Sequence, residues 1–236
     1  MDNPEGMLLN KLAETLDGAM CNAIDHAHRA HAGETPYAYI LFTLPLFDYA
    51  TLSFNTEESL GRLSTDVDKR EECRWHPCEW EYHSESEEVF AEVNEVFGQL
   101  LQVQGYGELD CEKRRQVLME VLRNLDARGV FGIGKARESV LVNTMWGDED
   151  CVAHVESARE LNPTSIYLRY AKYQLPMLRA SEREIQRSRS MYKDQSLVSV
   201  RRAIAQVEAD MGRRENFDKY LSAVPDVAPP ENDRNF

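Results

Sequence analysis

The sequence lacks what would place it in a membrane, in an oxidising compartment or on nucleic acid. No stretch of the 236 residues approaches the roughly 18–20 consecutive apolar residues that a bilayer-spanning helix requires. The amino terminus, "MDNPEGMLLNKLAETLDGAM", has neither the basic start nor the apolar run of a secretion signal and reads instead as an amphipathic helix. The five cysteines, Cys21, Cys73, Cys78, Cys111 and Cys151, are odd in number, scattered and without a Cys-x-x-Cys pair, which is the usage of a reducing compartment. Cations are scarce too: 27 Lys and Arg face 41 Asp and Glu, for a net charge of −14. Such a field repels nucleic acid and anionic lipid and attracts cationic proteins. These absences predict a cytoplasmic protein with neither nucleic acid nor membrane among its partners.

What is present is a foldable chain, 42% hydrophobic and long enough to bury a full core. Leu9, Leu12, Leu16, Met20, Ala23 and Ile24 recur at helical spacing, which predicts a helix from residue 7 to about 31, ending near Gly33. "YAYILFTL" and "YATLSF" favour strands, and "PLFD" between them can turn the chain, so a β-hairpin is expected. Alternation there is weak, which suits strands covered on both faces. "NTEESLGRL" starts a second helix, with Thr56 as its cap and Leu60, Leu63 and Val67 as its buried side. Val89, Phe90, Val93, Val96, Phe97, Leu100 and Leu101 mark a third, and Val117, Leu118, Val121, Leu122 and Leu125 a fourth that stops at Gly129. "SVLVNTMW" reads as a strand and "GDEDCVAHVESARELNP" as a helix with acids in its first turn. The expectation is an α+β domain over residues 1–162, a small, mainly antiparallel sheet covered by helices.

Beyond residue 162 the strand signals stop. Leu197, Val200, Ile204, Val207 and Met211 follow 3-4-3-4 spacing along one helix seam, enough for a helix packed on its own domain or for a homodimer through that helix, but too short for a coiled coil. Between residues 178 and 219 ten Lys or Arg face seven Asp or Glu, reversing the sign of the rest. A helical appendage over 163–224 and a disordered tail over 225–236 are expected.

Several stretches resemble chemical sites, and each has a plainer explanation. "GVFGIGK", Gly129 to Lys135, fits the skeleton of a phosphate-binding loop, but Ala136 stands where magnesium needs a hydroxyl. Its context is also inverted, with a helix before and a strand after, so a helix stop and tight turn explain the glycines better. His26, His28 and His31 cannot all reach one metal from one helix face. Cys73, His76 and Cys78, with His83, lack the two separated ligand pairs of structural zinc, and Pro77 restricts their convergence. Asp148 to Asp150 open a helix, where acids need no ion to explain them. Tyr167, Tyr170 and Tyr173 beside Arg169 and Lys172 look like a base-stacking ladder yet fit helix packing better. No catalytic residue, metal or cofactor is assigned.

Residues 73–88, "CRWHPCEWEYHSESEE", remain. Trp and Tyr bury large areas at little conformational cost where partners dock, and glutamates around them speed encounter with a basic surface. Residues 56–95 hold thirteen acidic and four basic side chains, so this region supplies most of the negative charge. The expected partner-binding residues are Arg74, Trp75, Glu79, Trp80, Glu81, Tyr82, Glu85, Glu87 and Glu88. On the competing reading, Trp75 and Trp80 are core anchors on either side of a bend at Pro77. An enzyme or regulatory domain using an acidic or Cys/His site is the rival in function.

The order of Tyr37, Tyr39, Asn55, Thr56, Glu57 and Glu58, then Arg74, Trp75, Pro77, Glu79, Trp80 and Tyr82, then Asn94, Gly129, Phe131, Asn162 and Pro163 resembles a bacterial family of unknown function with an RWxPxEWxY signature. That family is associated with polymorphic-toxin and contact-dependent immunity neighbourhoods. The similarity covers residues 8–163; Cys73 departs from it, standing where the pattern has an aromatic. The resemblance implies a cytoplasmic, non-enzymatic immunity protein that binds a cognate protein toxin.

Overall fold

Helix α1 (Pro4–Ala30) begins where the Asn3 side chain accepts the Gly6 N–H at 3.2 Å, with Pro4 in the first turn, where its missing donor costs nothing. Its apolar stripe buries Leu12, Leu16, Ala19, Met20, Ala23, Ile24 and Ala27. The helix closes as the His31 N–H bonds Ala27, two residues before Gly33 turns the chain at φ 97°. The computed structural model describes residues 3–44, 48–63, 66–104, 108–146, 151–188 and 193–212. The expected turn at "PLFD" lies mostly outside these, as do Asp148 to Asp150 and the tail at 225–236.

Strands β1 (Pro36–Thr43) and β2 (Ala50–Thr56) pair antiparallel, with Leu41 opposite Leu52. The two-residue β3 (Tyr82–His83) pairs antiparallel with β2, and β4 (Leu141–Trp146) runs parallel to β1, giving the order β3-β2-β1-β4. This is the α+β, mainly antiparallel sheet that the sequence predicts. One face carries Tyr39, Leu41, Leu52, Phe54 and Val142 into the main core with α1, α4 (Ala91–Gln104) and α5 (Glu108–Ala127). The other face presents Ala38, Ile40, Ser53, Asn55, Leu141 and Asn143, all buried. Both faces are covered, so strict alternation was never required.

Two asparagines finish the sheet. Asn162 accepts the Val142 N–H at 2.8 Å and donates to the Val142 carbonyl at 2.6 Å, taking the place of a neighbouring strand on β4. Asn94 does the same at Ala50, at 2.7 and 3.3 Å. An unpaired strand edge is thereby satisfied without another strand.

Thr56 caps α2 (Glu57–Leu63) by accepting the Ser59 N–H at 3.0 Å, as predicted. The expected buried side is only partly correct: Leu60 is buried, but Leu63 and Val67 are exposed. The segment is not one helix. Asp66 caps a new one, α3 (Val67–Cys73), which has no buried residue, and the phase of the apolar spacing is lost at that break. Helix α5 ends as predicted at Gly129 (φ 78°): Gly129 N–H bonds Asp126 at 2.8 Å and Val130 N–H bonds Leu125 at 3.1 Å, the paired bonds of a glycine helix stop. Gly129 to Lys135 therefore form the turn from α5 toward β4. Helix α6 (Cys151–Leu161) packs on β4.

The chain divides into two compact units, the first ending at Tyr170 and the second beginning at Ala171. In the first, Tyr167 and Tyr170 near the start of α7 (Thr164–Arg187) are buried, which is the packing role and not a stacking ladder. In the second, α8 (Lys193–Asp210) buries Leu197, Val200, Ile204 and Val207, while Arg201–Glu182 (2.8 Å) and Arg179–Glu208 tie it to α7. Those four seam residues are covered within one chain, while the fifth, Met211, is half-buried. Among the described residues no helix is long and apolar enough to cross a membrane.

Candidate functional site

Residues 73–88 leave α3, turn through a 3-10 segment at Pro77–Glu79, add β3 to the sheet and enter a second 3-10 turn at Glu87–Phe90. The bend at Pro77 sends both indoles inward. Trp75 is 2% exposed, Trp80 4% and Tyr82 5%, so the expected display of aromatic rings to a partner is overturned. Tyr37 meets the edges of both indoles, at 6.3 Å for Trp75 and 5.9 Å for Trp80, and Trp75 meets Tyr170 at 5.6 Å. The Trp80 Nε1–H donates to the Cys73 carbonyl at 3.0 Å. Rings of this size gain more inside a packed core than in water, and nothing in local sequence spacing says which side of the chain the core lies on.

Arg74 is likewise a structural residue. It is 8% exposed, and its two terminal nitrogens donate to the two oxygens of Glu57 at 2.7 Å each, while Nε donates to Glu71 at 3.0 Å. Its guanidinium lies 4.6 Å from the centre of the Tyr37 ring. Tyr37 in turn donates to the Arg74 carbonyl at 3.1 Å and accepts from Asn55 at 3.0 Å. This two-pronged clamp, with its arginine buried and its glutamate exposed, fixes α2 to the end of α3.

The glutamates behave differently. Glu79, Glu81, Glu85, Glu87 and Glu88 all belong to exposed residues, and so do the other eight acids between 56 and 95. Of the four cations there, Arg74 is buried and Arg62 is occupied by Glu34 and Glu81, both at 3.0 Å. The segment thus separates its two chemistries, with rings inside and carboxylates outside. Cys73 is half-buried and His83 hydrogen-bonds Ser53 at 2.6 Å; among the described residues no three His, Cys, Asp or Glu side chains gather as a metal set.

Beside this acidic segment lies a polar cluster that sequence reasoning missed. Glu34 accepts from Thr56, Tyr82 (2.9 Å) and Arg62. Burial pushes its carboxyl up, but the bonds from Thr56, Arg62 and Tyr82 outweigh this and hold it below its ordinary 4.5. Burial, with Glu34 alongside, pushes Tyr82 up to about 12. Glu58 accepts from both the N–H and the hydroxyl of Thr35, at 2.6 and 3.1 Å. His31 lies against Tyr82, ring centres 3.8 Å apart, and its Nε2 bonds Glu85 at 2.9 Å; His28 bonds the Tyr39 hydroxyl at 2.6 Å. A cavity of about 240 Å³ opens here, lined by His28, His31, Gly33, Glu34, Phe54 and Thr56. The histidines were visible as a cluster in the sequence. Their partners were not, because Glu85 lies 54 positions from His31 and Tyr82 lies 48 from Glu34.

Compared with known proteins, residues 16–163 match the family described as a domain of unknown function, DUF4303. No curated protein and no solved structure matches the chain.

Proposed function

The chain belongs to the DUF4303 family, and on that footing we propose that it is a non-enzymatic binding protein that captures and neutralises a cognate, basic bacterial toxin by occluding the toxin's active site. The observation that carries this reading is the exposure of all thirteen carboxylates between residues 56 and 95, which outnumber the four cations there and leave an excess of nine negative charges after Arg62 and Arg74 are paired with Glu81 and Glu57. A surface of one sign raises the encounter rate with an oppositely charged protein and selects against acidic ones. An immunity protein needs that speed, because free toxin damages the cell that makes it. The buried indoles make the surrounding segment a rigid platform, and its glutamates, Glu79, Glu81, Glu85, Glu87 and Glu88, are the proposed contact residues.

Co-expression with the product of the adjacent reading frame tests the proposal. Growth protection is expected from the native chain. Replacing Glu79, Glu87 and Glu88 with Lys should slow association about tenfold at low salt and flatten its salt dependence. A neighbouring product without toxicity, or association rates indifferent to the three reversals, would refute it.

A further inference from the structure

We infer that the cavity between the end of α1 and the β1–β2 pair receives one cationic side chain, the ammonium of a lysine or the guanidinium of an arginine, carried by the basic partner. The inference rests on the binding role proposed above and adds to it a specific socket.

Size argues first. About 240 Å³ lies below the roughly 300–1,000 Å³ of pockets that hold whole drug-sized ligands, so the cavity suits a side chain. Its lining is divided as a long basic side chain is divided. Ala27, Pro36 and Phe54 offer an apolar wall to an aliphatic stem, and His28, His31, Glu34 and Thr56 offer polar atoms to its head.

Charge selects the sign. Glu34 lines the cavity, Glu85 is one hydrogen bond away on the lining residue His31, and Glu81 is reached through Arg62, which Glu34 also holds; Glu58 is bound to Thr35, the chain neighbour of the lining residues Glu34 and Pro36. Arg62 is the one cation bonded into this cluster among the described residues, and it is engaged by Glu34 and Glu81. The carboxyl-terminal end of α1 adds the negative pole of a 27-residue helix. Around the cavity the carboxylates outnumber the Arg62 cation, so the local field disfavours an entering anion.

Hydrogen bonding agrees. Glu85 accepts from His31 Nε2, so in the neutral ring the other nitrogen, which has no partner among the described residues, carries a lone pair. A donor-only head such as an ammonium or guanidinium matches it. Glu34 already accepts three bonds, yet a carboxylate offers about four acceptor positions.

Titrating the full-length protein with n-butylammonium and with butyrate, while following the His28 and His31 ring signals by NMR, tests the inference. Saturable shifts from butylammonium, none from butyrate, and about tenfold weaker binding in Glu34→Gln are expected. His31→Phe keeps the ring against Tyr82 and removes both nitrogens; it should also weaken binding and carries the test if Glu34→Gln does not fold. Shifts from butyrate alone, or no saturable shift from butylammonium, overturn the socket. Butylammonium binding with toxin affinity unchanged by both variants also overturns it, since the site would then serve a free small cation. The surface reading fails separately, if protection survives the reversal of Glu79, Glu87 and Glu88; protection lost on that reversal but intact in both socket variants removes only the socket.

Discussion

Replacing Trp80 with Ala asks whether this ring holds the fold together or awaits a partner. The indole is 4% exposed, donates to the Cys73 carbonyl at 3.0 Å and meets the Tyr37 ring at 5.9 Å. Removing a buried aromatic costs about 3–5 kcal/mol through lost transfer energy and the cavity left behind. Losing the indole's bond to the Cys73 carbonyl, which keeps the His76 N–H at 3.2 Å, adds on the order of 1 kcal/mol, so we expect about 4–6 kcal/mol in all. Trp80→Phe keeps most of the ring and loses the hydrogen bond, and should cost about 1–2 kcal/mol. Urea unfolding of the full chain followed by far-UV circular dichroism, with the denaturant slope compared between variants, measures both. A cost below about 1.5 kcal/mol for the alanine variant, or a phenylalanine variant as unstable as the alanine one, would refute the core assignment. A partner-facing ring would show the opposite signature, with stability unchanged and complex formation impaired.

Asn162→Ala should destabilise by about 2–4 kcal/mol, because the Val142 N–H and carbonyl at the edge of β4 lose their partners; hydrogen exchange at the Val142 amide should quicken at least tenfold. Asn162→Asp, which keeps the acceptor and loses the donors, should fall between. Acidification acts through two groups of the same sign. Glu34 titrates below its ordinary 4.5 in the folded chain, and burial holds His83 below its ordinary 6.5. The unfolded chain therefore binds more protons than the folded one as pH falls. Stability should be fully present above about pH 6.5, decline first through the His83 window and again below 4.5 through that of Glu34. Urea titrations at stepped pH should show the native chain's advantage over Glu34→Gln, about 1–2 kcal/mol near neutrality, shrinking below 4.5; an advantage that grows on acidification would contradict this.

Much of the scaffold was legible because its signals are local. The α1 stripe from Leu12 to Ile24 repeats at helical spacing, Thr56 sits one residue before Glu57 where a helix cap belongs, and Gly129 stands where α5 has to stop. Leu63 and Val67 were misread because the Asp66 cap restarts the helix between them, and a continuous period cannot register a restart. At the site, the exposed glutamates were legible as charge, since carboxylates almost never bury without partners. The rings were not: Trp75 and Trp80 have the same composition whether they face a core or a partner, and only Tyr37 and Tyr170, far along the chain, decide between the two.

By itself the sequence determined the sign of the surface, the existence and ends of most helices, and the hairpin, because charge, capping and periodicity act over a few residues and survive any tertiary arrangement. The tertiary structure alone decided that β4 joins β1 in parallel, that two asparagines stand in for strands, and that Glu34, Arg62, Tyr82, His31 and Glu85 meet around one cavity. Those contacts join positions tens of residues apart, and the free energy that brings them together comes from burying both faces of the sheet, a sum over the whole unit that no local window contains.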